Sequence, residues 1–182
     1  MASDARTDMV VSAASLIASR GLTATSFAEV LGDSGAPRGS IYHHFPNGKD
    51  QLSYEALELV SERLLAHVRD GAGETPEQVL SNFFDIWRRV VVASNGSTGC
   101  AVAGVAVDTT GNPIVMAHVR DIFRRWTNEV AHQLERTGMS STRSSSVART
   151  ALASMEGSLI LCRAEGSVEP LNDVATQLLR LV

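Results

Sequence analysis

Apolar side chains recur every three or four residues along most of the chain, the spacing that places them on one face of an α-helix. Between Asp4 and Ser19, for example, Val10, Ala13 and Ile17 share one stripe. Alternation of apolar and polar residues, which is typical of a half-buried strand, does not occur over any convincing length. The pattern therefore predicts an all-α fold.

Residues that favour helix ends divide this pattern into nine predicted helices. Gly21 and Gly138 follow periodic stretches and suit the left-handed conformation that often ends a helix. Thr75 followed by Pro76 combines a capping residue with a proline at the first helical position, and Pro46 stops the third helix. The predicted helices span about 4–19, 27–31, 38–44, 49–70, 76–95, 100–108, 113–137, 142–165 and 170–181.

The longest uncharged run, from Val90 to Val107, reaches the length of a possible membrane span. Its middle, Asn95 to Gly99, has the composition of a turn, and a turn at bilayer depth would leave backbone groups unpaired. We therefore expect two helices separated by a loop. The segment before Met9 is acidic, whereas a secretory signal would be positive, so no membrane partner is expected.

Composition narrows the function classes. The chain has 182 residues, with 16 basic and 20 acidic side chains and a formal net charge of −4. This balance excludes a uniformly basic nucleic-acid coat, but DNA binding needs only one attractive face. An apolar content of 44% indicates a globular protein with a sizeable core. Two cysteines, Cys100 and Cys162, are too few for a disulfide framework, so we expect a cytoplasmic protein.

The strongest local signal joins the second and third helices. The connection Asp33-Ser34-Gly35-Ala36 is short and has glycine where a helix-turn-helix needs a positive φ. It continues as Pro37-Arg38-Gly39-Ser40-Ile41-Tyr42-His43-His44-Phe45-Pro46-Asn47-Gly48-Lys49, followed by Asp50-Gln51-Leu52. This amino-acid sequence resembles that of the DNA-binding head of the TetR family of bacterial regulators, and most of all its LmrA/YxaF-like branch. About residues 5–57 carry the resemblance.

The resemblance implies a TetR-like fold with a helix-turn-helix DNA-binding domain at 1–48 and a helical ligand-binding and dimerisation domain at 49–182. It favours a homodimeric repressor that binds palindromic double-stranded operator DNA and is released by a small apolar or aromatic effector. Efflux or oxidoreductase genes are the targets that the branch implies. The alternative is an effector-independent DNA-binding regulator. The sequence has no Walker loop, HExxH or GxSxG motif, so we expect neither an enzyme nor a cofactor.

Spacing within the third helix assigns roles to its residues. Ile41 and Phe45 lie four apart and would anchor the helix to the core. The planar guanidinium of Arg38 suits a guanine edge, and Pro37 suits a thymine methyl group. The predicted DNA-binding residues are Thr25, Ser26, Pro37, Arg38, Gly39, Ser40, Tyr42, His43 and Lys49, of which Thr25, Ser26, Tyr42 and Lys49 are expected at phosphates.

Two features of this set have a plainer alternative. Gly39 is either a small surface residue or a point of close DNA approach, and its cost in a helix of about 1 kcal/mol favours the second. His43 and His44 suggest a metal pair, but neighbouring helical side chains point about 100° apart. No cysteine or carboxylate completes such a site, so no metal is expected.

Large apolar side chains on the fifth to eighth helices exceed what their neighbours need to cover. They are either ordinary core or the walls of an effector pocket, in which His118 or Glu156 would supply a polar group. Cys100 is either a small buried thiol or a sensor of electrophiles. The predicted ligand-binding residues are Phe83, Phe84, Trp87, Val91, Val105, His118, Ile122, Trp126, Met155 and Glu156.

The last two helices are expected to form the dimer interface. Apolar residues share a stripe on the eighth helix, and small residues such as Gly157 lie beside them and let helices approach closely. In the resembled family these helices pair with their twins in a four-helix bundle; an internal core helix is the alternative. The predicted interface residues are Leu152, Met155, Leu159, Cys162, Val174 and Leu178.

Overall fold

The computed structural model describes residues 4–108 and 112–182, so residues 1–3 and 109–111 of the predicted domain ranges lie outside it. The described ranges contain nine α-helices and no strand, which confirms the all-α prediction. None of these helices is both long and apolar enough to cross a bilayer. The helices are α1 Ala5–Arg20, α2 Phe27–Ser34, α3 Ile41–His44, α4 Gly48–Asp70, α5 Pro76–Ala93, α6 Ala101–Val107, α7 Pro113–Arg136, α8 Ser141–Glu165 and α9 Glu169–Leu179.

Several helices begin where a side chain satisfies free backbone amides. The carboxylate of Asp4 accepts a hydrogen bond from the backbone N–H of Arg6 at 3.2 Å, at the start of α1. The hydroxyl of Thr75 accepts from the backbone N–H of Gln78 at 3.3 Å, and Pro76 follows at the first position of α5. These caps replace the intrahelical partners that the first turn lacks, so the sequence signals for helix starts have a direct structural counterpart.

Two helix bounds in the helix-turn-helix differ from the prediction. Helix α2 continues through Gly32, and its last residue is Ser34. The C-cap residue that follows, Gly35, has a left-handed φ of 68°. Helix α3 begins at Ile41, not at Arg38, because the preceding three residues form a turn. In that turn the backbone N–H of Ser40 donates to the carbonyl of Pro37 at 2.9 Å. A separate turn therefore precedes the shorter α3, and Arg38 lies in that turn.

The loop predicted inside the uncharged run is present. Helix α5 ends at Ala93 and α6 begins at Ala101. Between them Asn95 and Gly96 both have positive φ values, 49° and 74°. The two helices are therefore separate elements, as the turn composition predicted.

Packing groups the chain into two compact units. The first comprises the described residues up to Glu62 together with Cys100–Ile122, and the second comprises Arg63–Gly99 and Phe123–Val182. Helix α6 thus packs with the helix-turn-helix, although it lies inside the predicted range 49–182. This grouping concerns packing, and the division of function at residues 48 and 49 stays a prediction.

In the first unit α1 packs against α2, α3 and α6. Gly104 of α6 faces α1, since a Cβ atom there would lie at van der Waals distance, 3.5 Å, from the carbonyl oxygen of Ile17. The fully buried side chains of this unit include Met9, Ile17, Val30, Ile41, Phe45 and Leu57.

In the second unit α8 packs against α9, and α5 packs against both. The guanidinium of Arg88 on α5 donates to the side-chain oxygen of Asn172 on α9 at 2.8 Å. An ion pair of 3.0 Å joins Arg69 to Glu129. The buried side chains of this unit include Phe83, Phe84, Trp87, Trp126, Leu134, Met155 and Leu159.

Candidate functional site

Helix α3 has one buried face and one exposed face. Ile41 and Phe45 are fully buried, as their spacing predicted, and they fix the helix on the core. Tyr42 and His43 lie between them in sequence and are exposed, with 71% of Tyr42 accessible. The ring of Phe27 meets the ring of Tyr42 edge to face, with 5.6 Å between centroids. This contact holds an exposed aromatic side chain in one place beside α3.

Arg38 differs from the two arginines of α1 in having no partner among the residues that the structure describes. Arg6 forms an ion pair with Glu55 at 2.7 Å, and Arg20 forms one with Glu29 at 2.9 Å. Arg38 is exposed and makes no hydrogen bond or ion pair with the described part of the chain. Its guanidinium therefore keeps all five N–H donors available for an external acceptor.

A half-open groove of about 520 Å³ lies between α2 and the turn that leads into α3. Gly32 and Gly35 are part of its lining. A Cβ atom at either position would meet nothing within 4 Å, so there is open space beside both glycines. Arg38 and Tyr42 lie at this groove. The surface around Arg38 is thus concave, and apolar side chains such as Phe27 and Leu31 line it beside the glycines.

Two of the residues predicted to bind phosphate already form hydrogen bonds with other groups of the protein. Thr25 is only 4% exposed, and its hydroxyl donates to the carbonyl of Gly21 at 2.8 Å. The hydroxyl of Ser26 donates to the carboxylate of Glu29 at 3.0 Å and accepts from the Glu29 backbone N–H at 3.3 Å. The start of α2 therefore already holds an anion, and these two hydroxyls are poorly placed for phosphate.

The electrostatics at the start of α2 agree with that arrangement. Hydrogen bonds from the backbone and side chain of Ser26, together with the nearby Arg20 charge, hold the pKa of Glu29 below its usual range. Glu29 is therefore charged at neutral pH, and it complements the positive end of the α2 dipole. We therefore leave Thr25 and Ser26 out of the interface proposed below.

Asp108, which the apolar pattern marked only as a helix end, contacts the loop between α1 and α2. Its two carboxylate oxygens accept hydrogen bonds from Thr23, from the backbone N–H at 2.6 Å and from the hydroxyl at 2.7 Å. The ammonium of Lys49 donates to the carbonyl of Thr23 at 3.4 Å. The hydrogen bonds from Thr23, and then the Lys49 charge, lower the pKa of Asp108. Only the folded chain brings these three residues together, so no local sequence motif reveals them.

The predicted pocket residues are divided between the two units. In the second unit the rings of Trp87 and Trp126 lie 6.2 Å apart, and Phe83 and Phe84 meet edge to face at 5.5 Å. The indole N–H of Trp87 is buried without a hydrogen-bond partner among the described residues. The buried members of the set in the second unit are Phe83, Phe84, Trp87, Val91, Trp126 and Met155, and Glu156 is half-buried.

The other three predicted pocket residues lie in the first unit. Val105 and Ile122 are buried there. The imidazole of His118 stacks on the ring of Tyr54 with 3.9 Å between centroids, and its Nε2 lies 3.3 Å from a carboxylate oxygen of Glu58. His118 thus contacts an aromatic ring and a carboxylate, and its predicted role as the polar group of a ligand pocket stays a prediction.

Most of the predicted interface stripe faces the interior of its own chain. Burial of Cys162 also raises the pKa of its thiol, and its thiolate is disfavoured. A side chain buried in its own chain has little surface to give to a partner. Met155, Leu159, Cys162 and Leu178 are buried within the chain, whereas Leu152 and Val174 are half-buried.

A second stripe on α8 is exposed. Ile160 and Leu161 are 69% and 50% accessible, and they continue the row that begins with Ala153 and Gly157. These positions follow the helical spacing of three and four residues, so they form one face. A Cβ atom at Gly157 would meet nothing within 4 Å. We call these four residues the outer α8 face.

A helix-turn-helix with an exposed, unpartnered arginine just before its second helix defines a DNA-binding regulator. Comparison with known proteins specifies the family. Residues 10–56 match the model of bacterial regulatory proteins of the tetR family, and residues 76–177 match the LmrA/YxaF-like C-terminal domain of transcriptional regulators. The chain belongs to the TetR family, whose members are transcriptional regulators and not enzymes.

Individual relatives agree with this family. An HTH-type transcriptional regulator of Mycobacterium tuberculosis is 34% identical, with 97% of this chain and 93% of the relative covered. The regulator LmrA of Bacillus subtilis is 25% identical, with 95% and 94% covered. A TetR transcriptional regulator from Legionella pneumophila has a similar fold, with a TM-score of 0.89, 22% identity and 99% and 98% covered.

Proposed function

We propose that the chain is a homodimeric transcriptional repressor that binds a palindromic operator through α3 and the turn before it. The observation that carries the proposal is Arg38, which is exposed and unpartnered in the turn that leads into α3. In this role Arg38 donates two hydrogen bonds to O6 and N7 of a guanine in the major groove. The exposed Pro37 lies next to it and contacts a thymine methyl group.

The remaining contacts of the proposed interface are with the DNA backbone or fill the groove. Lys49 donates one N–H to Thr23 and has two further donors for a phosphate. Ser40 directs its hydroxyl to the carbonyl of Pro37 at 2.7 Å, so its oxygen remains only as an acceptor. The proposed DNA-binding residues are Pro37, Arg38, Gly39, Ser40, Tyr42, His43 and Lys49.

Arg38→Ala tests this role. The operator is a duplex selected from a random pool by the wild-type protein, and the comparison is a scrambled duplex of equal length. We expect Arg38→Ala to weaken operator binding by roughly 5- to 150-fold, because a bidentate contact with guanine discriminates by about 1–3 kcal/mol. Binding to the scrambled duplex should change by less than about threefold, as for the loss of one phosphate-directed charge. Fluorescence anisotropy measures both.

Arg20→Ala is the matched control, since it removes the same side chain from a residue that Glu29 already neutralises. We expect it to change binding to both duplexes slightly and equally. An equal loss on both duplexes for Arg38→Ala would refute base reading by this residue.

The outer α8 face supports homodimerisation. An exposed apolar row with a glycine in it suits the close approach of a second helix. A twofold dimer presents the same patch from each subunit, and two equivalent heads then read two inverted half-sites. This symmetry supports a palindromic operator.

Release by a small effector is supported by Trp87. Buried indole N–H groups in proteins almost always have an acceptor, and leaving one without costs about 1–3 kcal/mol. An aromatic effector with an acceptor oxygen would satisfy this donor. Such a ligand weakens operator binding by as much as it favours the conformer that cannot bind DNA. Efflux or oxidoreductase genes are the proposed targets, and effector-independent regulation is the alternative.

A further inference from the structure

We propose that Asp108 is a positioning residue for DNA binding. Its carboxylate holds the turn between α1 and α2, residues 21–26, and thereby fixes the helix-turn-helix on α6. The inference rests on DNA binding by the helix-turn-helix, and it does not depend on the identity of an effector.

Thr23 is the residue that Asp108 holds. Its backbone N–H and its hydroxyl both donate to the carboxylate, at 2.6 and 2.7 Å. Its carbonyl accepts from Lys49 at 3.4 Å, so every polar group of Thr23 is engaged. The neighbouring Gly21 has a φ of 85°, and a Cβ atom there would lie 3.4 Å from the Asp108 carboxylate. The turn is therefore shaped around this carboxylate.

The position of Asp108 is unfavourable for α6 itself. Asp108 is the C-cap residue of this helix, where the dipole is negative and a carboxylate is repelled. Helix α6 has only seven residues, none of them charged, and too few turns to be stable alone. The contact with Thr23 and Lys49 explains why an acidic residue occupies this position, whereas the stability of α6 alone does not.

The contact makes DNA binding depend on the last turn of α6. The two hydrogen bonds from Thr23 are short and end on one carboxylate, so a movement of α6 by about 1 Å breaks both. Residues 21–26 lead directly into α2, the first helix of the helix-turn-helix. Any shift of α6 therefore frees the segment that orients α2.

Asp108→Asn in the full chain tests the proposal. The change removes one negative charge, so simple electrostatics predicts equal or tighter DNA binding. Our proposal predicts the opposite sign, because the amide oxygen replaces only one of the two carboxylate acceptors and the charge that strengthens both hydrogen bonds is lost. We expect affinity for the selected operator duplex to fall by about 5- to 30-fold, the effect of losing a charge-assisted hydrogen bond. Hydrogen exchange of the Thr23 amide should accelerate by at least about tenfold.

Asp33→Asn is the matched control, an exposed aspartate of α2 that loses the same charge. It should bind the duplex as tightly as the wild type or more tightly. If Asp108→Asn behaves like Asp33→Asn, the proposal is overturned, although DNA binding and the Arg38 role stand. If neither control nor wild type binds any selected duplex, the proposed function fails as well.

Thr23→Val separates positioning from loss of folding. It removes the hydroxyl donor and keeps the backbone N–H, so we expect an affinity loss of about 3- to 10-fold with an unchanged circular dichroism spectrum. In the double variant Asp108→Asn/Thr23→Val, the fold-loss of operator affinity should be smaller than the product of the two single losses, because both changes remove the same contact. Multiplicative losses would show that the two residues act separately and would overturn the proposal. If Asp108→Asn does not fold, wild-type affinity in Thr23→Val overturns it instead.

Discussion

Gly39 lies next to Arg38 and has no structural need to be glycine. Its φ is outside the left-handed region, and a Cβ atom at this position would meet nothing within 4 Å. The fold therefore accepts alanine there. A glycine that the chain itself does not require points to something outside the chain, and close approach of DNA to the turn before α3 is the reason we propose.

Gly39→Ala tests this explanation. Because alanine restricts the unfolded chain more than glycine does, we expect stability to stay equal or rise by up to about 1 kcal/mol. Operator affinity should fall by roughly tenfold if a methyl group meets the DNA, as expected for a steric clash of about 1–2 kcal/mol. Urea denaturation and anisotropy provide the two measurements.

Gly32→Ala is the comparison for Gly39→Ala. Gly32 is an exposed interior residue of α2 with the same open space around it. We expect stability to rise by about 1 kcal/mol, because alanine is the better helix former. Operator affinity should fall less than in Gly39→Ala, because Gly32 lies on α2 and not in the turn before α3. Unchanged affinity in Gly39→Ala would mean that Gly39 is a plain surface residue.

At the scale of the helices, local signals predicted most starts but not all ends. Thr75 and Pro76 predicted the start of α5, since capping is a property of a few adjacent residues. Gly32 suggested an end to α2 and gave the wrong one, because the Ser26 and Glu29 capping box and the left-handed Gly35 outweigh one interior glycine. Pro37 suggested a start of α3 at Arg38, three residues too early, since a proline suits an isolated turn as well as a helix.

Helix α8 shows why helical spacing alone does not identify an interface. It has an inner stripe that includes Leu159 and an outer one that includes Ile160, and both have helical spacing. Periodicity identifies faces but does not say which one meets the chain's own core. Only packing against α5 and α9 decides that, and this information is absent from any local window.

The aromatic pair of α5 and α7 allows a test of the effector proposal. Trp87→Phe keeps an aromatic ring and removes the unpartnered N–H. We expect the wild type to bind 2-acetonaphthone roughly 5- to 10-fold more tightly than 2-isopropenylnaphthalene, which has the same shape without an acceptor. Trp87→Phe should abolish this preference. Tryptophan fluorescence quenching measures both affinities.

Trp126→Phe is the control for Trp87→Phe, because it removes the other ring of the same pair. It should keep the preference for the ketone while weakening both probes. It should also cost more stability, since Trp87→Phe removes a buried donor that has no acceptor among the described residues, whereas Trp126→Phe loses buried packing and whatever its indole contacts. Equal binding of both probes by the wild type would exclude Trp87 as the donor.

At the scale of the molecule, the family and the all-α fold were predictable because they depend on one local motif and on periodicity. The helix-turn-helix motif consists of adjacent residues, so it can be recognised in the sequence. The contact of Asp108 with Thr23 joins residues 85 positions apart. Such contacts follow from the packing of α6 on α1, which one sequence without an aligned set does not reveal.

The outer α8 face makes its own prediction for the assembled protein. Ile160→Glu places a charge on an exposed position, so the single chain should fold normally, with stability changed by less than about 0.5 kcal/mol. The charge would be buried against its twin in the dimer, and sedimentation should show a monomer at micromolar concentration. Operator affinity should fall by roughly 100-fold or more, because two linked heads bind far more tightly than one. Val92→Glu is the control.

Val92 is a 60% exposed apolar residue on α5, so its replacement adds the same charge to a different helix. It should leave both the dimer and operator binding intact. The inner stripe offers no such test, since a charge at Leu159 would disrupt the core of the chain before it reached any partner. A stable dimer in Ile160→Glu would place the interface elsewhere, and a monomer with full operator affinity would show that each head binds alone.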